Sequence, residues 1–194
     1  MSKRYLIFDT ETTGVAKDFK APPSTGDNWP RIVQLAWSIQ EDGRELSRSN
    51  FIIYPDGFII PDEAAKIHGI TTERALKEGL PIKDVMRYFH SALKLVDAVV
   101  CHNSHFDTNV AASEFLRING TNYMEDIEVI DTMRPQSEFC GIRNKWGGYK
   151  WPTLQELHTK LFGCGFDDAH DANVDISATI RCFWELKKRE LITD

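Results

Sequence analysis

The stretch that most constrains the fold lies at the N-terminus, where Lys3–Thr10 is rich in apolar residues and leads directly into the first acidic cluster. A short apolar run of this kind is typical of a buried β-strand. Asp9 and Glu11 are two residues apart, and side chains at that spacing lie on the same face of a strand, with Cα atoms about 6.6–7 Å apart. The sequence therefore predicts a buried strand that ends in two neighbouring carboxylates.

Two carboxylates at this spacing can converge on one hard cation such as Mg²⁺ or Mn²⁺, which prefers oxygen ligands. A bare D-x-E pair is also compatible with a solvated strand end, and it occurs by chance about once in a chain of this length. The full string Phe8–Gly14 is far rarer than that. We therefore interpret Asp9 and Glu11 as metal-binding residues.

The rest of the chain has an α/β pattern. A loop over residues 14–30 separates the first strand from an alternating segment over 31–40, and Asp42-Gly43 is a hairpin signal before a third strand over about 45–54. Later segments predict helices over about 62–69, 82–93, 104–118, 153–161 and 168–188 and strands over 97–101 and 127–130. This order predicts a mixed central sheet, with three antiparallel hairpin-connected strands plus parallel strands, flanked by helices.

Length and composition narrow the class of protein. The 194 residues fit a single domain over residues 1–194 with its own core. No apolar run approaches the roughly 18–20 residues that span a bilayer, and the first acids come too early for a secretory signal. The four cysteines are scattered without a C-x-x-C pair, as in reduced cytosolic proteins. We therefore expect a cytoplasmic protein that makes no membrane contact.

The net charge of −6 bears on nucleic-acid binding. A protein that neutralises many phosphates of a duplex is usually basic. An acidic protein can still bind nucleic acid if it contacts few nucleotides and if metal ions supply positive charge locally. The charge therefore predicts a small contact area with nucleic acid and does not decide the function.

Asp107 has two interpretations. Ser104-x-x-Asp107 has the form of a capping box at a helix N-terminus. However, the helix follows the strand predicted over 97–101, and ligands gather at the carboxyl ends of parallel strands, where Asp9 also lies if the two strands run parallel. The residues alone leave both interpretations open. His102 and His105 fit framework or surface roles better than catalysis.

His170 and Asp175 lie near the start of the last predicted helix. Asp168 is a plausible N-cap, with Asp171 as its capping-box partner. Residues five apart in a regular helix diverge by about 140° around its axis. His170 can therefore share a site with Asp175 only from the first turn or the preceding loop, a position that suits a mobile catalytic base.

Three strings resemble the motifs of the DEDDh exonucleases, the DnaQ-like family of bacterial polymerase proofreading subunits and their stand-alone relatives. They are Phe8-Asp9-Thr10-Glu11, His102-Asn103-Ser104-His105-Phe106-Asp107 and His170-(x)4-Asp175. Residues 31–36, 67–71 and 130–132 also fit, so the resemblance runs in family order from about residue 4 to residue 180. Asp171 is a departure, because relatives often carry a neutral or basic residue there.

The resemblance implies a ribonuclease-H-like fold, release of mononucleotides in the 3′→5′ direction and two bound ions, Mg²⁺ or Mn²⁺. It implies that four acids hold the ions, namely Asp9, Glu11, Asp107 and Asp175, and that His170 is the general base. Residues 67–71 resemble a segment that packs on the 3′-terminal nucleotide. Gly69 also fits the end of the helix over 62–69, with Ile70 packing behind it, and a helix end capped in this way could still present Ile70 as a wedge under the terminal base. The residues expected to contact substrate are Thr10, Thr12, His68, Gly69, Ile70, Asn103 and Phe106.

The sequence constrains the substrate and the partners less than it constrains the fold. The leading hypothesis is an exonuclease acting on single-stranded or frayed DNA ends, with weak association to a polymerase or repair complex. One alternative is an exoribonuclease, and another is an exonuclease-fold binding module that has lost catalysis. Residues 134–151 carry four basic residues, one acid and four interleaved aromatic residues. This composition fits either single-strand binding or a surface loop that covers the core.

Overall fold

The computed structural model describes residues 2–167 and 169–192 and is built on a five-stranded sheet. The strands are β1 (Arg4–Thr12), β2 (Ile32–Glu41), β3 (Arg44–Ile52), β4 (Ala98–Cys101) and β5 (Glu128–Asp131). Their order across the sheet is β3-β2-β1-β4-β5. The β1–β2 and β2–β3 pairs are antiparallel, whereas β1–β4 and β4–β5 are parallel. The predicted mixed sheet is confirmed.

Helices flank this sheet. They are α1 (Asp62–His68), α2 (Thr72–Glu78), α3 (Ile82–Leu93), α4 (Ser104–Asn119), α5 (Ser137–Cys140), α6 (Leu154–Phe162) and α7 (Ala172–Lys188). Two short 3₁₀ turns cover Gly26–Asn28 and Arg134–Gln136. Among the residues that the structure describes, no helix has the length and apolar character needed to cross a membrane.

Three helices differ from the sequence prediction, since α2 and the single-turn α5 were not predicted and α7 begins later than predicted. Helix α2 was not predicted, because seven residues are too few to show a helical period; its signal is Thr71, whose side chain accepts a bond from the N–H of Arg74. The predicted start of the last helix at residue 168 is wrong. Helix α7 begins at Ala172, since Asp171 is itself the N-cap and accepts a bond from the N–H of Asn173. Asp168 lies outside the described residues.

Strand β1 is the centre of the core, and its alternating side chains serve two different faces. Phe8 packs against Phe89 of α3, with ring centroids 5.1 Å apart. Tyr5 points the other way and packs against Phe183 of α7 at 4.9 Å. Burial on both faces explains why this strand has a continuous apolar run rather than an alternating one.

The parallel pairing of β1 with β4 positions the acidic residues. Ile7 lies opposite Val100, so both strands run towards the same edge of the sheet. Asp9 and Glu11 lie at that edge, as does the loop that leads from Cys101 into α4. The N-terminus of α4 and the end of β1 therefore meet, as expected for ligand sites at the carboxyl ends of parallel strands.

Candidate active site

The Asp107 side chain bonds to the end of β1 rather than capping the start of α4. Its Oδ1 accepts bonds from both the N–H of Thr10, at 3.0 Å, and the Thr10 hydroxyl, at 2.7 Å. The capping-box interpretation is wrong, because Ser104 is already the first helical residue and Asn103 is the N-cap, in the left-handed region at φ 76. Thr10, which follows Asp9 in the first motif, thus orients the buried Asp107 carboxylate beside Asp9.

His170 faces the carboxylates from the turn before α7. Its backbone has φ 72, which is incompatible with a helix, and its N–H donates to Oδ2 of Asp175 at 3.0 Å. One ligand atom from each of Glu11, His170 and Asp175 lies within 4.8 Å of the others. The structure thus brings together residues separated by more than 150 positions, with His170 in the loop position that sequence reasoning required.

Burial and mutual repulsion perturb these carboxylates. Burial raises the pKa of Asp9 well above its usual range, and four acids add to the effect, namely Asp107, Asp175, Glu11 and Asp171. Burial and then Asp175 and Asp107 raise the pKa of Glu11 to about 8. Burial also raises the pKa of Asp107 to about 7, although its bonds from Thr10 oppose the shift. Such a cluster is unfavourable unless cations offset its charge.

This donor set fits divalent metal ions. Carboxylate oxygens are the ligands that Mg²⁺ and Mn²⁺ prefer, and the acids lie together at one end of the sheet. Burial also raises the pKa of Asp175, whereas the backbone bond from His170 lowers it. The residues present are therefore suited to hold such ions and to lose their excess protons when they do so.

Two cavities adjoin the carboxylates. The larger one, which we call the cleft, has a volume of about 840 Å³ and is lined by Asp9, His170 and Asp175, with Arg134 and Trp151 on its wall. A smaller side pocket of about 330 Å³ adjoins Glu11. The cleft is large enough for several groups of a polymeric substrate, and the side pocket has the size of a small-ligand site.

The structure contradicts the expectation that Ile70 acts as a wedge under the terminal base. The Ile70 side chain is only 2% exposed and packs with Val33 and Ala64, so it cannot act as a wedge under a base. Gly69 ends α1 at φ 71, as predicted, and this turn directs Ile70 inwards. The exposed apolar side chains at the pocket are instead Ile67 and Val15, at 59% and 72%. The sequence analysis included Ile67 in the segment over 67–71 but not among the expected substrate contacts, and it missed Val15.

The other expected substrate residues are divided between the two cavities. Phe106 lines the side pocket with His68, whose ring accepts a bond from the N–H of Ile70 at 3.2 Å. Asn103 lines the cleft. Thr10 and Thr12 reach the side pocket, but the Thr10 hydroxyl is bonded to Asp107, and the Thr12 hydroxyl is bonded to the Gly14 carbonyl at 2.6 Å.

The histidines of the second motif have framework contacts. His102 bridges Thr132 and the carbonyl of Pro152 at 3.1 Å each, and burial lowers its pKa to about 4. A carbonyl oxygen can only accept, so Nε2–H donates to Pro152, and the lowered pKa keeps the ring neutral near pH 7. The ring thus fixes the two segments together. His105 bonds the carbonyl of Phe19 at 2.7 Å. Both rings line the cleft, but their nitrogens are occupied by the protein itself.

Comparison with known proteins decides the family. The family model described as exonuclease, RNase_T, matches residues 6–183, almost the whole chain. The chain belongs to the exonuclease family. The predicted resemblance to DnaQ-like exonucleases is confirmed.

The chain has curated relatives among the DNA polymerase III proteins. It is 29% identical over 195 residues to the PolC-type DNA polymerase III of Streptococcus pneumoniae, covering 98% of this chain and 12% of the relative. It is also 29% identical over 149 residues to the DNA polymerase III subunit epsilon of Buchnera aphidicola, covering 74% and 60%. The chain therefore spans a small part of the first relative and three-fifths of the second.

Solved structures confirm the ribonuclease-H-like fold. The chain resembles E. coli exonuclease I in complex with a dT13 oligonucleotide, with a TM-score of 0.72 and 25% identity. The match covers 97% of this chain and 42% of exonuclease I. The mixed sheet and the edge that carries Asp9 and Glu11 thus belong to a fold that exonucleases share.

Proposed function

We propose that this chain is a two-metal-dependent 3′→5′ exonuclease that releases mononucleotides from the 3′ ends of DNA. The observation that carries the proposal is the convergence of Glu11, His170 and Asp175 at one end of the sheet, beside Asp9 and Asp107 and open to the cleft. The 3′→5′ direction is supported by the motif resemblance. DNA is supported by the relatives, which are named as DNA polymerases or carry a DNA oligonucleotide.

The carboxylates would hold the two ions, Mg²⁺ or Mn²⁺. Glu11 and Asp175 belong to one cluster of ligand atoms, Asp9 lies close enough for both to raise its pKa, and Asp107 adds a fourth acid that Thr10 orients. Bound divalent ions supply Lewis-acid stabilisation of the phosphate and a more acidic attacking water. The protein contributes the arrangement that holds these acids together in spite of their repulsion.

His170 is proposed as the general base. Its side chain is exposed in the turn before α7, while its backbone N–H is anchored on Asp175 at 3.0 Å. A ring nitrogen in this position can accept the proton that the attacking water loses. Because the turn rather than a helix carries the ring, the ring can adjust to a substrate without moving the acids.

The side pocket is proposed to receive the terminal nucleotide. Ile67, Val15 and Phe106 offer apolar contacts for a base, and Glu11 borders the same pocket. This places the terminal sugar and base on one side of the carboxylates and the remaining strand in the cleft. Association with a polymerase or repair complex and a cytoplasmic location stay predictions, as does the single domain over residues 1–194.

Digestion of matched substrates tests the proposal. With Mg²⁺ or Mn²⁺, 5′-labelled single-stranded DNA should yield a descending ladder and mononucleotides, whereas chelator should abolish cleavage. A 3′-phosphorylated strand and a closed circle should resist. Cleavage of the circle would show an endonuclease, and faster digestion of matched RNA would make the chain an exoribonuclease. No product from any strand would favour a binding module without catalysis.

A further inference from the structure

A short hairpin that the proposed catalytic chemistry does not use projects between α5 and α6. We call residues 141–151 the basic hairpin. Its backbone is closed by bonds from the N–H of Asn144 to the carbonyl of Gly148 and from the N–H of Lys150 to the carbonyl of Ile142, both at 2.9 Å. The hairpin is therefore a defined structural element rather than an irregular cover for the core.

Cations lie over aromatic rings along this hairpin. The Arg143 guanidinium is 5.0 Å from the Tyr149 ring centroid, and the Lys145 ammonium is 4.3 Å from that of Trp146. Trp146 is 81% exposed, so packing in the core does not explain its presence. A ring beside a cation can stack with a base while the cation contacts a phosphate, the combination found in single-strand binding sites.

The basic hairpin is continuous with the cleft. Trp151, at its C-terminal end, lines the cleft together with Arg134, whose guanidinium is 4.6 Å from the Trp151 ring centroid. Lys150 is bonded to Glu156 of α6 at 2.6 Å, so its charge is already paired within the protein. The cation–ring pairs thus extend from the wall of the cleft to the tip of the hairpin.

The length of the hairpin indicates which nucleotides it could reach. Three residue steps of extended chain lead from Gly148 to Trp151, a distance of about 10 Å. Stacked nucleotides rise about 3.4 Å along one strand, so the tip lies about three nucleotides from the cleft. Contacts with Trp146 would therefore be available to long strands and unavailable to very short ones.

We propose that the basic hairpin binds the single-stranded nucleic acid that lies on the 5′ side of the terminal nucleotides, through stacking on Trp146 and phosphate contacts from Arg143 and Lys145. The proposal rests on the proposed exonuclease function, because that function places the 3′ end at the carboxylates. It assigns the segment over residues 134–151 to strand binding rather than to covering the core.

Fluorescence anisotropy with 5′-labelled dT15 and dT4, in chelator to prevent turnover, tests this surface. Trp146→Ala should weaken dT15 binding by about 5-fold or more, without changing its salt dependence. The double variant Arg143→Ala, Lys145→Ala should reduce the slope of log affinity against log salt by about 1.4, which is about 0.7 for each lost phosphate contact. Binding of dT4 should be unchanged in both variants.

The chain offers a matched control. Arg87 lies 5.3 Å from the ring of the exposed Tyr88 on α3, and neither residue lines the cleft or the side pocket. The double variant Arg87→Ala, Tyr88→Ala removes the same kinds of group and should bind dT15 like wild type. Circular dichroism of all variants verifies that the fold is retained, and Trp146→Ala changes a side chain that is already largely in solvent.

The outcomes separate the two proposals. Hairpin variants that bind dT15 like wild type, or that lose dT4 to the same extent, would overturn the assignment of this surface. A wild-type protein that hydrolyses no strand, but whose dT15 affinity falls in the hairpin variants, would overturn the proposed exonuclease function and leave the binding surface in place. Normal hydrolysis with reduced dT15 affinity in these variants supports both.

Discussion

At the scale of single residues, the site depends on a conflict between burial and charge. Asp9 and Asp107 lie close together, and burial is the largest cause of the raised pKa of each. The fold nevertheless directs Asp107 towards β1 with two bonds from Thr10. Functional sites often retain such unfavourable arrangements because the chemistry requires them.

The crowding leads to a stability prediction for Asp175→Asn. In chelator this variant should melt no lower than wild type, because it removes one repelling charge and keeps an oxygen that can accept the N–H of His170. Magnesium at 100 times its dissociation constant should stabilise wild type by about 2.7 kcal/mol and the variant by much less. Thermal melts with chelator and with magnesium measure both effects.

Asp84→Asn is the control for that prediction, since Asp84 is an exposed acid of α3 paired with Arg87 at 3.2 Å. It should gain from magnesium as wild type does. If Asp175→Asn is clearly less stable in chelator, and if magnesium shifts all three proteins equally, then Asp175 is a structural hydrogen-bonding residue and not a metal ligand.

His170→Ala should lower turnover by roughly 10²–10⁴-fold while leaving magnesium affinity nearly intact, because the ring acts as a base and the carboxylates hold the metal. Single-turnover cleavage combined with calorimetric metal titration separates the two effects. Lost metal affinity with near-normal residual chemistry would make His170 a ligand instead.

His102 predicts a pH dependence of folding. Its pKa falls from 6.5 to about 4 on folding, so the folded state prefers the neutral ring. The stability associated with this group is present above about pH 6.5 and is lost as the pH falls through about 4. Urea denaturation at pH 7, 5.5 and 4.5 should show wild type losing stability faster than His102→Gln, by up to about 1.4 kcal/mol per pH unit. If the stabilities of wild type and His102→Gln change equally with pH, then His102 is not the origin of the pH dependence.

At the scale of elements, the loop between β1 and β2 is held by a buried ion pair. Glu114 of α4 is 1% exposed, and its Oε1 lies 2.7 Å from Nε of Arg31 and 3.2 Å from Arg117. The Arg31 carbonyl in turn accepts from the N–H of Thr13, directly after the end of β1, and the Arg31 N–H donates to the Thr13 hydroxyl. Helix α4 therefore supports the edge of the sheet that carries Asp9 and Glu11.

Glu114→Ala should destabilise the fold by about 3 kcal/mol, the low end for a broken buried pair, because Arg31 and Arg117 keep some contact with solvent. The matched control is Glu78→Ala, which breaks an exposed pair with Arg74 on α2 and should cost no more than about 0.5 kcal/mol. Urea denaturation measures both. Equal effects would show that the Glu114 pair contributes no more than a surface pair.

The boundaries of the elements show which parts of the fold the sequence could predict. The end of β1 was predictable, because the i, i+2 spacing of Asp9 and Glu11 determines their common face. The start of α7 was not, since Asp168 and Asp171 are both acceptable caps and the left-handed backbone of His170 decides between them. Ile67 and Ile70 are equally apolar. Which of them is exposed depends on how α1 packs against β2, and the local sequence pattern does not determine that packing.

At the scale of the whole molecule, the net charge of −6 opposes the approach of a nucleic acid. The cations expected to meet phosphates are few: Lys20 and Arg134 line the cleft, and Arg143 and Lys145 lie on the basic hairpin. These four cations lie along the proposed path of the strand, and the net negative charge of the molecule disfavours the approach of nucleic acid elsewhere.

This arrangement predicts a shallow salt dependence. Four cations that each contact one phosphate of a single strand give a slope of about −3 for log affinity of dT15 against log salt, since each contact contributes about 0.7. Anisotropy titrations in chelator, over a series of sodium chloride concentrations, measure this slope. Arg87→Ala, outside the path, should leave it unchanged, whereas Arg134→Ala should reduce it by about 0.7. A slope steeper than about −5 would mean that more phosphates are neutralised than these cations can contact, and the strand would then have to follow a different surface.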